Sequence, residues 1–323
     1  MDIKFLLNSG KNRKLPYYIK NYIKVFSPKI IFQKRLSKKL DSINGRCDAN
    51  YIWDRVSYYN KLDGVEPIDK NAAVLGDLKK GGEVKSVYFF DAYEIVSWFN
   101  EKLHWNFLPG DITQIPGVPT ILKSRPIRGD NRNSVVLKLE KIRHFIFLND
   151  TLQFPEKQNK LIFRGKMDGK PHREKFMRMY FDHPMCDLGN ITKSNSLPEE
   201  WKVKKSTLYD HLKFKFILAL EGNDVASNLK WIMSSNSIAV MPEPTYETWF
   251  MEGKLIPDFH YIRIKNDYTD LEERLNYYIE NQDEAQKIID NAHDYVAQFF
   301  DKKREKLIGL AVMDKYLKMT GQE

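Results

Sequence analysis

YDHLKFKFILALEGNDVASNLKWIMSSNSIAVM, residues 209–241, changes its hydrophobic period twice. Residues 213–220 are an apolar and aromatic run of strand length, and Glu221-Gly222-Asn223-Asp224 ends it with residues that turns favour. From Asp224, a good N-cap, Val225, Leu229, Ile232 and Met233 fall three or four apart, which predicts a helix ending at Asn236. Residues 237–241 are strand-like again, and Pro242 closes them. Strand, turn, helix, strand is the unit that builds parallel sheets. Its first turn lies at the carboxyl edge of the sheet, where helix amides favour an anion such as a diphosphate. The same spacing also suits a crossover that binds nothing.

Working outward, 323 residues point to two domains, and 42% hydrophobic with 13% aromatic residues supply a core for each. Two cysteines, Cys47 and Cys186, are too few for a disulfide framework and too far apart in sequence to chelate zinc, which fits a reducing compartment. The opening MDIKFLLNSGKNRK has too short an apolar run for a signal peptide, and no uncharged run reaches membrane-spanning length. There is no GxxxxGK[ST], no GxGxxG and no GxSxG. The pattern supports neither a P-loop NTPase, a standard dinucleotide oxidoreductase nor an α/β-hydrolase. No Asp-x-Asp occurs to hold a cation against a sugar diphosphate.

The positive charge is concentrated at one end. Residues 1–40 carry eleven Lys or Arg against one acid, Asp2, which exceeds the net +9 of the whole chain and leaves the remainder close to neutral. Tyr17, Tyr18, Tyr22, Ile23, Val25, Phe26, Ile30, Ile31 and Phe32 are interleaved with these cations, a mixture suited to an anionic membrane surface. A nucleic-acid groove would spread its cations along the chain, so nucleic acid is not the expected partner. A solvated basic arm with no partner has the same composition.

Further along, 84–90 reads as a strand, Asp91 as the cap of a short helix, and 105–108 as another strand. FLPGDITQIPGVPTILKSRPI, residues 107–127, is braced by Pro109, Gly110, Pro116, Pro119 and Pro126 and reads as a rigid loop. Asp111 at its head stands where a general base can be held, although aspartate after glycine is also an ordinary turn residue. Residues 150–160 are polar and read as a linker. Residues 161–163 then form a strand ended by Arg164-Gly165, and KMDGKPHR leads into a helix near Arg173. Arg164 with Lys166, Lys170 and Arg173 supplies a fork and point charges suited to phosphate oxygens, or else a solvated basic loop. Three helices, at 271–279, 285–300 and 303–317, close the chain.

FRGKMDGKPHR (163–173), HLKFKFILALEGNDVASNLKW (211–231) and HYIRIKNDYTDLEERL (260–275) together resemble glycosyltransferase family 90. That family includes bacterial lipopolysaccharide glycosyltransferases of the LpsA type, capsule xylosyltransferases and protein O-glucosyltransferases. The likeness runs from roughly 84 to 300, and PGDITQIPGVPTILKSRPI with DNRNSV is similar to the bacterial branch. The resemblance implies an α/β GT-B fold, two Rossmann-like domains facing across a cleft with a helical carboxyl terminus. On that basis residues 1–40 are the expected basic membrane-docking segment, 41–155 the acceptor-side domain and 156–323 the nucleotide-sugar-binding domain.

It also implies inverting, metal-independent transfer of a hexose or pentose from a UDP-sugar to a hydroxyl of a lipopolysaccharide core or other surface glycan, with no cofactor. Asp111 matches the family's base. The donor-binding candidates are Arg164, Gly165, Arg173, Gly222, Asn223, Asp224, Ser227, Asn228 and Lys230, and the acceptor-binding candidates are Arg125, Asn131 and Asn133. Many relatives carry arginine where this chain has Asn228, so Lys230 or the loop cations would neutralise the diphosphate instead. The animal members have a signal peptide, disulfides and a retention tail, whereas this chain ends Gly321-Gln322-Glu323. The expected place is the bacterial cytoplasm, peripheral on the inner face of the inner membrane, with a UDP-sugar and a lipid-linked oligosaccharide as partners. A non-catalytic basic scaffold binding anionic glycolipid or nucleic acid, and a retaining GT-B transferase, are the alternatives.

Overall fold

The computed structural model describes residues 9–81, 84–192 and 196–322. Asp2, Lys4 and Glu323 lie outside the described residues, and with them part of the expected amino-terminal docking segment. The chain forms two compact units, neither of them continuous. One holds residues 9–12, Arg143–Pro244 and Lys254–Gln298; the other holds Arg13–Ile142, Thr245–Gly253 and 299–322. The domains expected from sequence are continuous, because hydrophobic pattern does not show where a chain returns to an earlier body.

The unit containing Arg13–Ile142 opens with helices α1 (Lys14–Phe26), α2 (Lys29–Gln33), α3 (Leu36–Asp41) and α4 (Ala49–Tyr59). Strand β1 (Ala73–Val74) is followed by helix α5 (Ser86–Val96) and pairs antiparallel with β2 (His104–Trp105). Next come β3 (Phe107–Leu108), β4 (Thr120–Leu122), β5 (Ser124–Pro126) and β6 (Ser134–Val136), of which β3, β4 and β6 make a small parallel sheet. Residues 84–90, expected as a strand, instead lead into α5, which begins at Ser86. SVYFFDAYEIV is apolar almost throughout, so its period is silent, and nearly every residue from Tyr88 to Val96 is buried. Asp91 is no cap but an interior helical residue, accepting from Tyr17 Oη at 2.9 Å and from the Lys141 amide at 2.8 Å.

After a short helix α6 (Lys141–His144), the other unit is built on β7 (Gln158–Gly165), helix α7 (Pro171–Tyr180), β8 (Cys186–Asn190), helix α8 (Leu208–His211), β9 (Phe214–Leu218), helix α9 (Leu229–Met233) and β10 (Ile238–Met241). Strand β11 (Tyr246–Thr248) pairs antiparallel with β5 within the unit containing Arg13–Ile142. Strand β12 (Ile262–Arg263) and helices α10 (Leu271–Glu280) and α11 (Gln282–Ala297) complete the sheet unit, and α12 (Lys302–Met319) belongs to the other. The five-stranded sheet runs β12-β10-β9-β7-β8 with every pair parallel. Its core gathers Leu161, Phe163, Phe216, Leu218, Val240 and Ile262 from the strands with Phe176, Leu275 and Ile288 from the covering helices.

The stretch 209–241 therefore forms the parallel strand pair that its period predicts, with one shift. The helix begins at Leu229, with Asn228 rather than Asp224 at the N-cap position, and has only five residues. Residues 150–160 are not a loose linker: the Asp150 carboxylate is buried, bonded to Lys157 Nζ at 2.7 Å and to the Asn236 amide at 2.9 Å.

Candidate functional site

In chain order the sheet runs 2-1-3-4-5, so successive connections leave β7 and β9 in opposite directions. Parallel sheets bind their ligands outside the carboxyl ends of the strands at such a switch point. Here those ends are Gly165 and Leu218; the segment after the first, 166–170, carries Lys166 and Lys170, and the segment after the second, 219–228, carries five of the nine donor-binding candidates.

Arg173, in the first turn of α7, ties the two segments together. Its Nη2 donates to the Leu220 carbonyl at 2.7 Å, its Nε to the Glu221 carbonyl at 2.8 Å and its Nη1 to the Lys166 carbonyl at 3.0 Å. Burial draws its guanidinium down to about 10. His172 Nε2 lies 2.8 Å from the same Glu221 oxygen, and burial holds its imidazole below the usual value although that carbonyl opposes the shift. Lys170 Nζ donates to Asn223 Oδ1. Lys166 is exposed, and Ser227 and Asn228 are half-buried, the Asn228 amide donating to the Leu218 carbonyl at 2.9 Å. At the end of β8 the Asn190 side chain is fully buried and its Nδ2 meets no acceptor among the described residues, leaving a donor for water or ligand.

Other donor-binding candidates are placed differently. The Arg164 fork is occupied along β8, donating to the Asp187 carbonyl at 2.7 Å and its carboxylate at 2.5 Å. Gly165 is a packing residue: a Cβ there would lie 2.4 Å from the Phe163 ring. The Gly222 amide donates to the Val225 carbonyl at 3.4 Å, Asp224 and Lys230 are buried, and five-residue α9 is too short to supply the expected helix-end anion site. Lys230 is shut in, whereas Lys166 is exposed and Lys170 and Arg173 are only half-buried. His172 and Asn190 were not singled out from sequence, because nothing local marks an interior asparagine or a histidine that braces a loop.

In the other unit, Asp111 is held from three directions. Gly110 has φ +121°, a backbone that L side chains rarely adopt, and it turns the chain into the loop. Ile112 then exchanges bonds with Ser124: its amide donates to Ser124 Oγ at 3.3 Å, and that hydroxyl lies 3.3 Å from the Ile112 carbonyl. Between these contacts the Lys123 ammonium, 1% exposed, donates to the Asp111 carboxylate. Glu140 Oε2 lies 3.8 Å from the same nitrogen and accepts from Tyr88 Oη at 3.2 Å. Glu140 is one of the few non-glycine residues with positive φ, +54°, strain of the kind that clusters at working sites. The Asp111 side chain keeps 21% of its surface exposed, so a solute reaches a carboxylate whose orientation is fixed from behind. Neither Lys123 nor Glu140 stood out in the sequence.

The acceptor-binding candidates serve the scaffold. Arg125 is fully buried, its Nε bonded to Glu247 at 2.7 Å and its other nitrogens to the carbonyls of Tyr58, Tyr59 and Ser134. Asn131 is also buried, donating to the Pro126 carbonyl at 2.7 Å and accepting from Lys61 Nζ at 2.8 Å. Neither is presented to a ligand. Asn133 is half-buried, with a weak bond to the Pro116 carbonyl at 3.4 Å.

Residues 135–320 match the family described as Glycosyl transferase family 90. The chain is 35% identical over 309 residues to the O-glucosyltransferase LpsA of Dichelobacter nodosus, covering 95% of this chain and 96% of that protein. It is 28% identical over 137 residues to protein O-glucosyltransferase 3 of Rattus norvegicus, 41% of this chain and 26% of that one. To the rat protein O-glucosyltransferase 1 it is 26% identical over 46% of this chain and 40% of that one. The family match begins after Asp111, so the reading of that residue rests on its setting.

Proposed function

The chain belongs to glycosyltransferase family 90 and is a glycosyltransferase; from that premise we propose that it moves a hexose or pentose from a UDP-sugar to a hydroxyl of a lipopolysaccharide core or similar surface glycan. The observation that carries the donor half is the cluster of cations at the switch point of the parallel sheet, with Arg173 joining the segments after β7 and β9. In this reading the fold is GT-B: the sheet unit takes the nucleotide sugar and the unit containing Asp111 supplies the base.

The reaction is a single displacement. The acceptor oxygen attacks the anomeric carbon, the bond from that carbon to the phosphate oxygen breaks with its electron pair leaving on UDP, and Asp111 takes the acceptor's proton. Lys166, Lys170 and Arg173 meet the charge developing on the diphosphate, without a metal ion. The product is inverted. The name of the Dichelobacter relative makes UDP-glucose the first donor to try. Among the described residues no helix is long and apolar enough to cross a membrane. We place the enzyme in the bacterial cytoplasm, peripheral on the inner membrane and docked through its basic amino-terminal segment to a lipid-linked acceptor.

Asp111→Asn tests the reading. It should lower kcat by about 10²–10⁴, the usual contribution of a general base, and leave UDP affinity unchanged. Undiminished turnover in that variant removes the base assignment, and a retained anomeric configuration in the product removes the single displacement.

A further inference from the structure

Helix α1 is not a loose basic arm. One side packs on α5: Tyr17, Tyr18, Tyr22 and Val25 lie against Phe89, Phe90 and Tyr93. Tyr17 Oη bonds Asp91 at 2.9 Å, Lys24 Nζ bonds Glu94 at 2.5 Å, and Tyr93 Oη bonds the Val25 carbonyl at 3.3 Å. Of the side chains expected at a membrane surface, Tyr17, Tyr18, Tyr22 and Val25 are thus turned inward. That anchoring fixes what faces out. Leu15, Ile19, Ile23 and Phe26 recur at the spacing of one helical face and are 70%, 53%, 64% and 82% exposed. The apolar row is about 17 Å long, and Ile30 and Ile31 of α2 are exposed as well. Six of the seventeen large hydrophobic side chains exposed among the described residues fall within 15–31, so this is a patch rather than the usual scatter.

The charge around the row selects its partner. Lys11, Arg13, Lys14, Lys20, Lys34, Arg35 and Lys38 are exposed, and residues 9–40 contain no acid. A second copy of this chain would set the same cations against one another, whereas an anionic bilayer takes apolar side chains between its headgroups and cations against them. We infer that α1 lies in the plane of an anionic lipid surface, its Leu15, Ile19, Ile23 and Phe26 row inserted below the headgroups and its cations on the lipid phosphates. This sharpens the docking part of the proposed function and rests on it only for the identity of the acceptor; donor chemistry on a soluble acceptor does not depend on it.

The test is sedimentation of the full chain with phosphatidylcholine vesicles, with and without phosphatidylglycerol. The full chain should bind the anionic vesicles, and more weakly as salt rises. Ile19→Ser combined with Ile23→Ser should lower that partition at least about tenfold. Lys14→Gln combined with Lys20→Gln should lower it about fivefold per charge at low salt and less at high salt. Both pairs are outward-facing, and both should melt like the parent and turn over a deacylated, soluble acceptor at the parent's rate. Failure of the parent to bind phosphatidylglycerol vesicles, or unchanged binding by the isoleucine pair, overturns the inference. So does a dimer of the parent that the isoleucine pair converts to monomer without loss of vesicle binding. Loss of transfer to the soluble acceptor in the parent itself would count against the glycosyl-transfer reading and leave the surface assignment standing.

Discussion

Replacing Lys123 by methionine separates an oriented base from an incidental loop aspartate. The ammonium is 1% exposed and lies between two carboxylates, donating to Asp111 and 3.8 Å from Glu140. At an effective dielectric of about 20, a pair of charges at the 3.8 Å separation of Lys123 and Glu140 is worth about 4 kcal/mol. Part of that is returned because methionine has no charge to desolvate, so a net loss of about 3 kcal/mol in folding stability follows for breaking a buried pair. Two carboxylates then share the site with no cation between them, and Asp111 is no longer held against Ser124 and the Gly110 turn. Its contribution as base should fall, lowering kcat by roughly 10² while the donor KM stays near the parent value. Lys123→Arg, which restores the charge in a larger group, should recover part of the rate. Glu140→Gln keeps the bond to Tyr88 and should cost less than tenfold. Steady-state UDP release, with urea denaturation alongside to show that each variant is folded, reads all of this. A folded Lys123→Met enzyme with kcat within threefold of the parent would refute the orienting role and weaken the case for Asp111.

Gly110→Ala forces an L side chain onto φ +121°, so it should cost about 1–3 kcal/mol of local strain, shift Asp111 and lower kcat without changing UDP affinity in calorimetry. Arg173→Ala should weaken UDP binding by about 10- to 100-fold and reduce stability, because three carbonyls at the carboxyl edge lose their donor; unaltered UDP affinity would move the donor site elsewhere. Glu305 is buried among Arg55 Nη1 at 2.5 Å, Lys138 Nζ at 2.6 Å and Trp249 Nε1 at 2.7 Å. Burial pushes its carboxyl up, but Lys138 and Arg55 more than reverse this and leave it below the ordinary 4.5. A depressed acid contributes stability above its unfolded pKa and loses it as pH falls through the folded one. The urea midpoint of the parent should therefore fall more steeply below about pH 5 than that of Glu305→Gln; parallel profiles would deny Glu305 that role.

Much of the sheet unit was legible because its elements are local. Strands β9 and β10 and helices α10 and α11 announce themselves by period, as does α12 of the other unit, and the cations after β7 stand beside a glycine at a strand end. The switch point was not legible, since it depends on β9 pairing with β7 rather than with β8. Nor was the difference between Arg164 and Arg173. Both are arginines near a strand end, but Asp187 occupies one and facing carbonyls turn the other into a clasp. Helix α5 was misread because a segment buried nearly all round has no polar side to reveal its period.

Composition and local order alone established an α/β chain with parallel strands, a family likeness, a basic amino-terminal stretch and a braced aspartate. Tertiary structure alone decided which charges are already spent: Arg125 inside the scaffold, Lys230 shut in, Lys123 behind Asp111, and the tyrosines of α1 inward with its isoleucines out. The reason is that spacing along a chain sets which side chains share a face, whereas the partner on that face comes from residues tens to hundreds of positions away.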